Sequence, residues 1–303
     1  MNSIEIRELT KHYGTHRAVD GLTFDVLPGR VTGFLGPNGA GKSTTMRLLL
    51  GLDRPTSGTA TIGGRRYLEL KDPLHRVGAL LDAQAAHGGR TAHDHLRLLA
   101  AAGRIPMRRV GEVLEQTGMA AVAKRRIKSF SLGMRQRLGI AAALIGDPGV
   151  LLLDEPTNGL DPEGIIWIRE LMRSLAAEGR AVLVSSHLMS ETSALADHLV
   201  VLGRGKLLAD TSMESFIDAR STPRARLRTS DPVRLRAALA RDDLELVAAD
   251  DGRWTVEGIR AEQLGTLAAR EGVPLLELSD ERASLEQAYL DLTADHAQFS
   301  AAH

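Results

Sequence analysis

Residues 30–52, RVTGFLGPNGAGKSTTMRLLLGL, leave this chain few choices of fold. An apolar run reads as a buried strand, and a helical pattern closed by Gly51 follows it. Between them GPNGAGKS fits the phosphate-loop pattern G-x-x-x-x-G-K-S in the context that the pattern requires. The glycines let successive backbone N–H groups turn inward, and the start of the helix adds positive potential. Gly36, Pro37, Asn38, Gly39, Ala40, Gly41, Lys42, Ser43 and Thr44 then form one cradle for phosphates. Lys42 reaches the β- and γ-phosphates, and Ser43 offers its hydroxyl to Mg²⁺.

A second stretch supplies acids. VLLLDEPTNGLDP, residues 150–162, opens with four apolar residues that read as a buried strand. Asp154 and Glu155 emerge at its C-terminal end, where open parallel sheets place their sites. Asp154 is expected to hold Mg²⁺ through water, and Glu155 to orient and deprotonate the water that attacks the γ-phosphate. No N-K-x-D guanine reader is present, which favours adenine and hence ATP. A third stretch, SFSLGMRQRLG at residues 129–139, puts Ser131 and a glycine at the start of an amphipathic helix, a second arrangement suited to an anion. Taken alone, Ser131 reads as a helix N-cap.

The remaining sequence frames these motifs. From Ile4 to about Leu27 short apolar bursts alternate between Gly and Pro breaks, which predicts antiparallel strands and hairpins. Between about Leu74 and Ala143 the pattern is helical, in TAHDHLRLLAAAG, RRVGEVLEQTG and MRQRLGIAAALIG. The α/β core resumes with GVLLLDEP, the helix GIIWIRELMRSLAAEG, the strand AVLVSS and the helix LMSETSALAD. After DARSTPRAR the order becomes strand, helix, strand, strand, helix, strand and a closing helix SLEQAYLDLT, a small α+β domain of the split βαβ kind. The expected division is 1–218, with the helical insertion at about 84–145, and 222–303. The absence of cysteine excludes disulfides and cysteine-ligated metals. A net charge of +0 gives no global field to recruit nucleic acid or an anionic membrane, and the basic run AKRRIKS reads as solvated surface. The opening MNSIEIRELTKHYG lacks the regions of a signal peptide, and no apolar run approaches the roughly 20 residues that span a bilayer. If the protein serves a membrane, another chain supplies the membrane part.

The phosphate loop, SLGMRQR, LLLDEPTNGLDP and the SSH that ends at His187 occur in the order and approximate spacing of ATP-binding cassette (ABC) ATPases. The chain resembles that family from about Ile4 to Lys206. The resemblance implies an α/β P-loop NTPase of the ABC type, with an antiparallel N-terminal β subdomain and a helical insertion, that uses ATP and Mg²⁺. In this family two cassettes pack head to tail, and the signature of one closes over the ATP held by the phosphate loop of the other. By that likeness Ser131 and Gly133 serve a nucleotide bound on a second cassette, expected to be another copy of this chain. Tyr13 matches the aromatic that stacks on adenine. His187 matches the residue that senses the γ-phosphate and steadies the attacking water, and Asp161 the loop that crosses the dimer interface. The family usually has a glutamine after the strand that here reads VGALLD; the register puts Asp82 there, as the carboxylate for metal-bound water, with Gln84 two residues late.

The tail and the leucine in place of the first signature glycine resemble the bacterial drug- and antibiotic-export branch. That likeness implies an ATPase subunit, peripheral at the cytoplasmic face of the cell membrane, that drives export of a hydrophobic or antibiotic-like compound through a separate membrane-spanning permease. An importer ATPase is the alternative within transport. A soluble ABC ATPase acting on ribosomes or DNA would call for two cassettes in one chain or a very long coiled-coil insertion. The chain has one phosphate loop and a short insertion, so no nucleic-acid partner is expected.

Overall fold

VLLLD and AVLVSS are apolar without alternation because each strand is covered on both faces. The computed structural model describes residues 2–219, 223–249, 252–281, 285, 286, 288–290 and 292, and divides into two units, Met1–Met213 and Glu214–His303. In the first unit the opening alternation becomes two long strands, β1 (Ile4–Tyr13) and β2 (His16–Val26), paired antiparallel. β3 (Val31–Leu35) then leads through the phosphate loop into α1 (Lys42–Leu49). β4 (Ser57–Ile62) returns to pair antiparallel with β1, which completes a three-stranded sheet in the order β2-β1-β4.

The main frame of this unit is a six-stranded sheet. β5 (Val77–Leu80), β6 (Val150–Asp154), β7 (Ala181–Ser186) and β8 (His198–Gly203) join β3, and β9 (Lys206–Ser212) forms the far edge. The order is β5-β6-β7-β3-β8-β9; every pairing is parallel except the β8-β9 hairpin. Successive residues of β6 and β7 point to opposite faces and so feed two cores. Leu151, Leu153, Val182 and Val184 pack with the helical insertion and with Ile168 and Met172. Leu152 and Leu183 pack with Ile4, Phe24, Phe34 and Met46 under the antiparallel sheet.

The insertion holds α2 (Ala92–Ala102), α3 (Arg108–Gln116) and α4 (Leu132–Leu144). The helical run therefore starts later than Leu74, because residues 77–80 are a strand of the main sheet. Gly78 lets β5 lie directly against α4: a Cβ there would stand 2.0 Å from the Ala143 carbonyl oxygen. The core then continues through α5 (Pro162–Ala177) and α6 (Met189–Leu195), and α7 (Met213–Asp218) follows β9.

In the second unit β10 (Arg224–Thr229), α8 (Pro232–Leu239), β11 (Leu246–Ala248), β12 (Trp254–Glu257), α9 (Ala261–Arg270) and β13 (Leu275–Asp280) form a four-stranded antiparallel sheet in the order β11-β12-β10-β13. The insertion of β12 between β10 and β11 is what makes the βαβ unit split. Leu227, Leu235, Leu239, Val256 and Leu264 fill its core. The expected closing helix at 284–293 lies partly outside the described residues; within it Leu285, Ala288, Tyr289 and Leu292 are buried.

The contact at Gly78 gives a direct test of the β5–α4 packing. Gly78→Ala should destabilise the first unit by about 1–3 kcal/mol, the usual cost of overpacking a core. Urea unfolding followed through the transition of this unit would measure it, and a loss under about 0.5 kcal/mol would mean that α4 stands off the strand.

Candidate functional site

The register of three strands assembles the site. Leu35 pairs with Ser186 across β3 and β7, and Asp154 pairs with Ser185 across β6 and β7. The loops that leave these strands therefore emerge side by side at the C-terminal edge. Gly41 has φ +104, and a Cβ there would meet the Ala18 carbonyl oxygen at 2.5 Å, so the turn into α1 requires glycine. No side chain caps that helix, which leaves its first N–H groups available to an anion. An open cleft of about 310 Å³ lies over this turn, lined by Tyr13, His16 and Ala18, by residues 38–44 and by Glu155. Lys42 is 6% exposed, and its Nζ donates to the carbonyl oxygens of Gly36 at 2.5 Å and Pro37 at 3.2 Å. Burial pushes its pKa down, against the opposing pull of Glu155 and Asp154.

The acidic pair is held by side chains from two other elements. Ser185 Oγ, fully buried, donates to the Asp154 carboxylate and accepts from the Glu155 N–H at 2.9 Å. Glu155 sits in the left-handed region at φ +48, an uncommon conformation for a residue with a side chain. Its carbonyl oxygen accepts from Nε2 of Gln136 at 3.1 Å and from the Asn158 N–H at 3.2 Å. His187 Nδ1 lies 2.8 Å from Glu155 Oε2, so the imidazole N–H donates to the carboxylate. This places the Glu155 side chain in the cleft over the phosphate loop, with His187 against it.

Tyr13 stands at the other end of the cleft, 46% exposed, with its hydroxyl donating to Asp53 Oδ2 at 2.7 Å. Arg47 binds the same carboxylate through Nε at 2.7 Å and Nη2 at 3.2 Å. Lys11 Nζ lies 4.8 Å from the centre of the tyrosine ring. The Arg47 contact, then the Tyr13 contact, hold the Asp53 carboxyl down to about 2, while burial foremost raises the Tyr13 pKa.

Four expected residues stand apart from this cleft. Ser131 caps α4, accepting from the Met134 N–H at 3.2 Å, which leaves its O–H proton free to donate. Gly133 lies against the loop at residues 157–160: a Cβ there would be 2.7 Å from the Gly159 carbonyl oxygen. Asp161 caps α5 through Gly164 N–H at 2.8 Å. Asp82 is exposed and accepts from the N–H of Gln84 at 2.7 Å, and neither residue lines the cleft. Among the described residues no group of three or more His, Asp or Glu side chains is placed to hold a metal. Ser43 and Asp154 are hard oxygen donors of the kind that suits Mg²⁺, which leaves most of its coordination to water and substrate phosphates. Ser185, Gln136, Asp53 and His16 carried no motif of their own in the sequence. The nearest signal was position, since Ser185 and Gln136 belong to stretches already singled out.

A phosphate cradle at a strand–helix turn, with an acid pair at the end of a parallel strand two places away in the same sheet, defines a P-loop nucleoside triphosphatase. Comparison with known proteins narrows the class. Residues 19–158 match the family model described as ABC transporter, and residues 223–286 match a domain of unknown function (DUF8746). The bacitracin transport ATP-binding protein BcrA of Bacillus licheniformis is 37% identical over 95% of this chain and 96% of its own length. The lantibiotic transport ATP-binding protein SrtF of Streptococcus pyogenes is 37% identical over 68% of this chain and 90% of its own. Among solved structures, an ATP-binding subunit of an ABC transporter matches with TM-score 0.66 and 28% identity, over 71% of this chain and 92% of that one. The fold is also that of the cassette MJ0796, solved as a dimer in a post-hydrolysis state with ADP and Pi, at TM-score 0.63 and 23% identity, over 69% of this chain and 98% of that one. The chain belongs to the ABC transporter family: it is an ATP-binding subunit and a transport ATPase of the kind that works with a membrane permease. Among its described residues no helix is long and apolar enough to cross a membrane.

The Asp53 tether makes the expected stacking of Tyr13 on adenine testable. Asp53→Asn weakens the hold on Tyr13 and should lower ATP affinity about three- to tenfold at pH 7, the worth of one net hydrogen bond, as read by titration with a fluorescent ATP analogue. The folded carboxyl is depressed from 3.8 to about 2, so its contribution to stability is complete above the unfolded value and lost as pH falls through about 2. The stability gap between wild type and variant should accordingly narrow between pH 4 and pH 2. A gap independent of pH would remove the ion pair from the account.

Proposed function

We propose that two copies of this chain pack head to tail and together drive export of an antibiotic-like or hydrophobic compound through a separate permease, at the cytoplasmic face of the cell membrane. The observation that carries the export reading is that the likeness to the bacitracin transport protein runs through both units of the chain rather than ending with the cassette. The unit from Glu214 onward then acts as an accessory domain of the exporter. The head-to-tail dimer is supported by the position of Ser131 and Gly133, which lie outside the cleft of their own chain, and by the dimeric form of the related cassette. On this reading Ser131 donates its free hydroxyl proton, and the helix start its N–H groups, to the γ-phosphate held by the other copy. Adenine stacks on the tethered Tyr13 ring. Lys42 exchanges the Gly36 and Pro37 carbonyls for phosphate oxygens, whose charge restores its pKa. Glu155, steadied by His187, takes a proton from the water as its oxygen bonds to the γ-phosphorus and the bond to ADP breaks. Ser43, and Asp154 through water, hold Mg²⁺, which supplies charge neutralisation at the β- and γ-phosphate oxygens when bound.

Two experiments bear on this reading. Glu155→Gln keeps the shape and removes the base, so ATP turnover should fall by about a hundredfold or more while ATP still binds. An ATP-dependent dimer should then persist on size-exclusion chromatography, and near-normal phosphate release would remove Glu155 from its role. Lys42→Ala and Ser131→Ala should each abolish ATP occlusion, but a mixed dimer of the two concentrates both defects in one site and leaves the other whole. Mixing should restore occlusion beyond the sum of the separate variants. No recovery in verified mixed dimers would return Ser131 to a plain helix cap.

A further inference from the structure

We propose that Gln136 is a positioning residue that ties the signature helix to the backbone of Glu155 in the same chain, so that the helix start serving one nucleotide is mechanically joined to the base serving the other. The proposal rests on the shared-site reading above for its consequence, and on geometry within one chain for the link itself.

Glu155 holds a left-handed backbone, and both of its backbone polar groups are bound by buried side chains. Ser185 accepts from its N–H, and Gln136, 3% exposed on α4, donates to its carbonyl oxygen. A conformation that a side-chain-bearing residue rarely adopts persists only where the surroundings over-determine it, and these two contacts do so. Their sources differ. Ser185 belongs to the sheet, whereas Gln136 lies five residues past Ser131, about 7.5 Å along the helix axis.

The helix is a stiff lever, because it is packed tightly at both levels. At its start, a Cβ on Gly133 would stand 2.7 Å from the Gly159 carbonyl oxygen, and one on Gly159 would stand 2.4 Å from the Leu132 side chain. One residue past Gln136, the Arg137 guanidinium lies 4.2 Å from the centre of the Trp167 ring of α5 and donates to the Thr117 carbonyl oxygen at 3.2 Å. A movement of the helix start toward a nucleotide thus carries Gln136 with it, and with Gln136 the peptide that aims Glu155. The amide of Gln136 touches no reacting atom; it acts through the backbone of the base.

The test uses dimers with a single working phosphate loop, made by pairing one Lys42→Ala chain with one chain of intact Lys42. Gln136→Met, which fills similar volume without a donor, is placed on one chain or the other. On the chain with intact Lys42, it releases the Glu155 that serves the surviving site, and hydrolysis should fall about tenfold, the loss of one net hydrogen bond of positioning. ATP affinity should stay within about twofold. On the Lys42→Ala chain, the same substitution leaves the working Glu155 clamped, and hydrolysis should stay within about threefold of the unsubstituted pair. Gln136→Asn, which withdraws the donor by one methylene, serves as the second variant if Gln136→Met melts early. Equal losses in the two placements, or a loss only on the Lys42→Ala chain, would overturn the link, as would a fall in ATP affinity matching the fall in rate. The Lys42→Ala and Ser131→Ala mixture, run on the same preparations, reports separately on the shared site: its failure with the placement effect intact removes the coupling between sites and leaves the clamp on Glu155.

Discussion

The in-register parallel pairing of β3, β7 and β6 is the constraint on which the rest depends. It sets Leu35 beside Ser186 and Asp154 beside Ser185, so three loops of very different sequence leave the sheet side by side at one edge. A shift of one residue would turn Asp154 and Ser185 to opposite faces of the sheet and separate the groups that now bond to each other. Two cores, one on each face, fix that register by demanding alternate side chains of β6 and β7.

Charge at this edge is arranged in a way that suits a polyphosphate. Lys42 is buried with its ammonium on two carbonyls, and its pKa is lowered by that burial despite two nearby carboxylates. A polyphosphate answers what the lysine lacks, and the uncapped start of α1 adds donors directed to the same place. Glu155 is fixed through its backbone and through His187, which on the proposed reading spares its carboxylate any reorganisation to meet a water. Preorganisation of this kind is how a site favours the transition state over the ground state.

Much of the site was legible because its residues act locally. The phosphate loop is eight contiguous residues with a recognisable spacing, and the Asp154-Glu155 pair follows an apolar run that forms a buried strand. The strands and helices of both units were likewise written in their apolar spacing. β5 was obscured because its four residues sit inside a helical stretch and depend on Gly78 to admit α4. β4 and the β8-β9 hairpin left too little periodicity to announce themselves beside stronger neighbours.

By itself the sequence determined the kind of ligand, the identity of the acid pair and the presence of a second small domain, since each follows from contiguous residues and their period. Only the tertiary structure decided which distant side chains hold them. Ser185 reached across from β7 to bind both Asp154 and Glu155, Gln136 came from the signature helix to the Glu155 carbonyl, and Asp53 fixed Tyr13 from forty residues away. The same fold left Asp82 outside the cleft that its place in the sequence suggested. The physical reason is the range of the forces. Backbone turns and apolar periodicity act within a few residues and are visible in the chain, whereas a hydrogen bond between side chains depends on a register that only the packed sheet defines.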